Sequence, residues 1–297
     1  MVFVMIRIFC ALFLTSMGLL HAQDDGLRED LESTYQTWRL SIQTKNDVIW
    51  RKVTAAHRQI AVKNRLLSEK RKFPQGVFDL PALPPSIVGL KHLDIQRRGP
   101  TAKSYYFGKI DFGIGGVPAE NLLVLSFTGA LGSWKYDQME YINLAALPEI
   151  KAQLTKGDIS YISKSPNLMP SGIVPPTPVA IKEAPYIAKA YAYCPGREIQ
   201  VQINQTSRHT FQDAQEAQLI IGGAREGINQ IQYATKNLID QDVKDPMTLR
   251  VYLMSEVAGV KPIKIFEYQV VEGQKPVAFG KGTFVVCDAV CSQLMGR

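Results

Sequence analysis

The sequence predicts two folded parts: an α+β domain, with helices over an antiparallel sheet, followed by an all-β sandwich domain. Three observations lead there. Between Leu27 and Leu67 apolar residues recur at spacings of three and four, the period of a helix. From Lys91 the period changes to two, and short alternating segments separated by Gly and Pro read as strands. Beyond the proline-rich "SGIVPPTPVA" at 171–180, helical periodicity stops and alternation continues alone.

The elements follow in order. "MVFVMIRIFCALFLTSMGLLHAQDD" opens with Arg7, an apolar run from Ile8 to Leu20, and His21-Ala22 before an acidic stretch. This pattern is a secretory signal peptide over residues 1–22, cleaved after Ala22. The run is shorter than the roughly 20 residues that span a bilayer. No Cys stands directly after the cleavage point to carry a lipid. The mature chain is therefore expected to be exported, periplasmic or secreted, with no transmembrane segment after signal cleavage. Leu27, Leu31, Tyr35, Trp38 and Ile42 share one face of a first helix, whose start is crowded with Glu29, Asp30 and Glu32, as suits the positive helix end. Asn46-Asp47 breaks the chain and caps a short second helix through Ile49, Trp50 and Val53. A third helical segment runs from about Ala55 to Leu67 and ends before Pro74 and Gly76. Strands follow at 91–97, 102–112, 120–128 and 133–142, and residues 143–171 read as irregular. The second domain carries seven short alternating segments between Tyr186 and Val286, of which "REIQVQINQ" at 197–205 is the clearest. The expected limits are 23–165 for the first domain, 166–176 for a proline-rich linker and 177–297 for the second domain.

Nearly half of the residues are hydrophobic (46%) and 21% are charged, which describes a globular chain rather than a disordered one. The net charge of +7 comes mostly from the first half. "VTAAHRQIAVKNRLLSEKRKFP" at 53–74 is its most basic stretch. On a helix Arg58, Lys63 and Arg65 form no single stripe, and Lys70, Arg71 and Lys72 fall in the exit turn, where cations suit the helix end. The first expectation is a solvated face. Contact with an anionic surface through Arg71 and Lys72 is the second, and nucleic acid comes last, because only Phe73 and Phe78 are near enough to stack with bases. Cys194, Cys287 and Cys291 remain after Cys10 leaves with the leader. An odd number permits one bridge at most, with its pairing open, or free thiols. Cys287 and Cys291 have CxxxC spacing, which is neither a redox nor a haem motif. No metal site is expected, since His57, His92 and His209 lack a second His at ligand spacing, and no cofactor motif occurs. "GKIDFGIGG" and "IGGAREG" lack the GK[ST] ending of a phosphate loop and read as turns.

The helix "LESTYQTWRLSIQTKND" followed by "VIW", the strand set, and the late strand "GSWKYDQMEYINL" resemble the nuclear transport factor 2-like superfamily, which includes ketosteroid isomerase and polyketide-cyclase relatives. The resemblance covers roughly residues 25–145. It implies a cone-like domain with helices over a curved sheet and a pocket between them. Tyr35, Trp38, Trp50, Tyr105, Phe107, Trp134 and Tyr136 would line that pocket. Asp111 is the candidate general base, because a carboxylate among aromatic rings has a raised pKa. The competing reading is that the rings form a core and that Asp111 opens the turn of Gly113, Gly115 and Gly116. The basic segment and the loop "LPALPPSIVG" have no role in that family. The expected function is non-catalytic binding of a small-molecule ligand or of an extracytoplasmic protein or glycan partner. The alternative is a small hydrolase or isomerase that uses the pocket of the first domain.

Overall fold

The computed structural model describes residues 26–111, 117–238 and 243–296. The leader expected over 1–22, with Cys10, and the glycines of the turn after Asp111 lie outside the described residues. The protein is mixed α/β with three antiparallel sheets. Contacts divide it into two units. One contains Val77–Pro178 with the chain up to Ile60, and the other contains Ala61–Gly76 with Val179–Arg297.

In the first unit a helix over 26–43 (α1) buries Leu27, Leu31 and Tyr35, the stripe its spacing predicts. Helix α2 (Asp47–Val53) starts on Asn46, whose side-chain oxygen accepts the Ile49 N–H at 3.0 Å. Helix α3 (Ala56–Ser68) follows. Strands β1 (Lys91–Arg98), β2 (Thr101–Ile110), β3 (Ala119–Thr128) and β4 (Lys135–Asn143) form one antiparallel sheet in that order. Side chains alternate between its two faces. Ala102, Tyr106, Leu123, Leu125 and Phe127 pack with Leu27, Leu31 and Tyr35 of α1. Tyr105, Phe107, Leu122 and Val124 pack on the opposite side with Leu154 of α4 (Pro148–Thr155) and Ile162 of α5 (Ser160–Lys164).

Helices therefore cover both faces of this sheet, where the sequence reading has them on one. Helices α4 and α5 are too short for a 3.6-residue period to register, so 143–171 reads as irregular. The near-continuous apolar run "NLLVLSF" in β3 agrees with burial on both sides, whereas a half-buried strand would alternate.

In the second unit, β5 (Ala188–Tyr193), β6 (Arg197–Ile203), β7 (Ser207–Gln212), β8 (Gln215–Leu219), β9 (Gly227–Asn237), β10 (Met247–Leu253), β11 (Ile263–Val270) and β12 (Phe279–Val286) form two four-stranded sheets. Their orders are β11-β10-β5-β8 and β12-β9-β6-β7, and residues from both contribute to one hydrophobic core. Strand β7 escapes an apolar-alternation test because two of its three inward residues, Ser207 and His209, are polar. A short helix α6 (Asp288–Leu294) closes the chain.

By its contacts the basic segment falls largely in this second unit, from Ala61 onward. Asn64 donates its amide to the Val179 carbonyl at 2.8 Å and accepts the Ile181 N–H at 3.1 Å. Ser68 Oγ accepts the Gly222 N–H at 2.8 Å, and the Ala184 N–H reaches the Leu67 carbonyl at 3.0 Å. One side of the segment is thus a polar seam. Arg71 is turned to the Gly76 carbonyl at 3.0 Å, while Lys72 is exposed.

Candidate functional site

Tyr35, Trp38, Trp134 and Tyr136, expected to line a pocket, pack on one another. Trp38 lies 4.0 Å from Tyr136 between ring centroids and 5.8 Å from Tyr35. Trp134 joins the same cluster, with the Arg97 guanidinium 5.6 Å from its ring centre. The Tyr35 hydroxyl donates to the Pro85 carbonyl at 2.7 Å. Burial raises the pKa of both Tyr35 and Tyr136 well above the tyrosine range. Tyr105 and Phe107 belong to the other face of the sheet, and Tyr105 donates to the Leu168 carbonyl at 2.6 Å. Trp50 is buried on α2 outside both clusters. Asp111 is exposed at the end of β2. Of the seven aromatic residues, four come together, as core. Strand parity accounts for two of the other three, since Tyr105 and Phe107 point away from the α1 face, and Trp50 is buried on α2.

A different group of residues converges where sequence spacing gives no hint. The β3–β4 register runs Ser126↔Gln138 and then Phe127↔Tyr136, so Asp137 is the extra residue of a bulge. The strand edge there receives the chain between α2 and α3. Thr54 bridges to Tyr136, and the Ala55 N–H donates to the Tyr136 carbonyl at 2.8 Å. This contact sets the first turn of α3 against the bulge, and His57 Nε2–H donates to Asp137 Oδ1 at 2.8 Å. Both residues are buried.

Asp137 is also part of the wall of a cleft of about 410 Å³ between the sheet and the 166–175 segment. Ser126 lines the same cleft, and its buried hydroxyl has no hydrogen-bond partner among the described residues. Lys103 Nζ donates to the Asn167 carbonyl at 2.9 Å and sits 3.6 Å from Glu140, which in turn accepts from Gln138 at 3.1 Å. The cleft therefore offers a carboxylate steadied by an imidazole, an unpaired hydroxyl, and a cation and second carboxylate already in contact. Such a set can hold a small polar molecule through both donors and acceptors. Helical and strand periodicities describe apolar faces and carry no signal for a bulge, so nothing in the sequence pattern joins His57, Ser126 and Asp137.

Other polar groups are accounted for structurally. His209 Nδ1–H donates to Gln218 Oε1 at 3.0 Å and its Nε2 accepts from Ser207 at 2.8 Å. Its pKa is lowered, chiefly by desolvation, with the Gln218 contact opposing. Cys194, Cys287 and Cys291 are all free thiols. Cys287 precedes α6 and Cys291 lies one turn into it, with its sulfur 2.9 Å from the Tyr186 hydroxyl. Among the described residues no group of three His, Cys, Asp or Glu side chains is placed to hold a metal ion, and no helix is long and apolar enough to cross a membrane. Comparisons with models of known families, with curated proteins and with solved structures find no match.

Proposed function

We propose that this is an exported, non-catalytic binding protein that takes a small polar ligand into the cleft beside Asp137. The observation that carries this reading is the unpartnered hydroxyl of Ser126 at the cleft wall. A buried hydroxyl without a partner costs about 1–3 kcal/mol, and a ligand that hydrogen-bonds to it recovers part of that. The His57–Asp137 contact supports the same reading, because a carboxylate held by one oxygen presents the other in a defined direction. In this proposal the first unit is a variant of the nuclear transport factor 2-like cone. Helix α1 over a four-stranded antiparallel sheet supports the likeness, and the second layer of α4 and α5 departs from it. The second unit is a β-sandwich, which the shared core of its two sheets supports.

One observation favours the hydrolase or isomerase alternative. A buried imidazole–carboxylate pair is the usual means of orienting a general base. A single experiment separates the two readings. Purified mature protein is screened against small polar metabolites by thermal shift, with the compounds assayed for turnover afterwards. The expected result is a compound that raises the melting temperature of the parent and not of Asp137→Asn, and that is recovered intact. Shifts unchanged in Asp137→Asn and Ser126→Ala would overturn the cleft as the site. Consumption of the compound would establish the alternative.

A further inference from the structure

The second unit carries a polar surface that the cleft reading does not use. Along β6, β7, β9 and β12 the residues that alternate with the core all face outward on one side of their sheet. In register, one row across the four strands reads Arg208, Gln202, Gln232, Lys281. The next row reads Thr210, Gln200, Ala234, Phe279. Two concavities of about 410 Å³ each lie on this face, one over each side of the row, and they share Gln232. With strands about 4.8 Å apart, the row spans roughly 14 Å.

From this face we infer a binding surface for an extended acidic polysaccharide, one whose sugars carry carboxylates. The amides of Gln202 and Gln232 each present two donors and a carbonyl acceptor, and neither is hydrogen-bonded within the protein among the described residues. A donor beside an acceptor in one plane matches neighbouring sugar hydroxyls, each of which both donates and accepts. Charge decides the sign of the ligand. Glu198 is the acid among these outward positions, and it is neutralised by Lys236 at 3.0 Å. Arg208 and Lys281 form no ion pair among the described residues, so each end of the row keeps an uncompensated cation. A guanidinium takes a carboxylate through two parallel hydrogen bonds. Phe279, 63% exposed, adds an apolar platform for the C–H face of a sugar ring.

Other polymers fit less well. Single-stranded nucleic acid calls for several aromatic rings on which successive bases stack, and this face has Phe279 alone among the residues named. A protein partner calls for buried aromatic and aliphatic anchors, and the central row has none.

The test uses the full mature chain and titration calorimetry. Its probes are polygalacturonate, a neutral β-glucan of similar length, and a single-stranded oligonucleotide. The expected result is polygalacturonate binding that weakens with salt and is at least about tenfold (about 1.4 kcal/mol) tighter than binding of the neutral glucan. Gln202→Ala with Gln232→Ala, and separately Arg208→Gln with Lys281→Gln, should each weaken it about tenfold at an unchanged melting temperature. Ser126→Ala should leave it unaffected, which separates this surface from the cleft. Absence of polygalacturonate binding, equal binding of the neutral glucan, tighter binding of the oligonucleotide, or insensitivity to both double variants would each overturn the inference.

Discussion

Trp38 stands in a stacked cluster rather than on a cavity wall, so Trp38→Ala should destabilise the protein by about 3 kcal/mol, as large aromatic truncations do. Asp111→Asn, at an exposed position, should stay within about 0.5 kcal/mol. Denaturant unfolding of both variants checks the pair. His209 supplies a pH dependence. Its folded pKa lies below the unfolded value of about 6.5, so below that pH the unfolded chain takes up a proton that the native ring does not. The His209 contribution to stability is then constant above about pH 7 and falls as pH decreases through 6.5 toward the folded pKa. The fall in melting temperature between pH 7 and pH 5 should be smaller in His209→Gln than in the parent. An equal fall in both would assign the effect elsewhere, with His92, whose pKa burial also lowers, as the next group to replace.

At the scale of elements, burial on both sides of a sheet and close approach of a strand leave different marks. Strand β3 shows the first directly, as a near-continuous apolar run. Strand β12 shows the second in "FGKGTF", where Gly280 and Gly282 point inward. A Cβ on Gly280 would lie 2.2 Å from the Tyr233 ring, and one on Gly282 would lie 2.8 Å from the Phe266 ring. Both rings belong to the core, with Tyr233 only 4.6 Å from Tyr268, so neither retreats freely. Gly280→Ala should therefore cost about 1–3 kcal/mol through overpacking, a loss that thermal denaturation reads directly. Alternation in the sequence marks only Thr283–Val286 of this strand, and the glycines before it carry meaning only once their neighbours across the core are known.

For the whole molecule, contacts group residues 61–76 with 179–297. Residues 61–76 precede the first sheet, yet they form the polar seam with 179–184 and Gly222. A fragment of 177–297 lacks the Asn64 and Ser68 partners of that seam. It should melt at a lower temperature than the same fragment joined by a flexible linker to 61–76, and equal melting would show the seam to be dispensable. Local patterning specifies the stripe of α1, the cap of α2, the four strands of the first sheet and, among the described residues, seven of the eight strands in the second unit, β12 only in part. Each of these rests on a local period that a single face of apolar residues imposes. Long-range packing alone sets α4 and α5 over the second face of the first sheet. It also decided that the aromatic residues split between two cores and that His57 meets Asp137 across a bulge. Such pairings join residues 80 positions apart, and they arise because a bulge re-aims one side chain to meet a partner that no local period encodes.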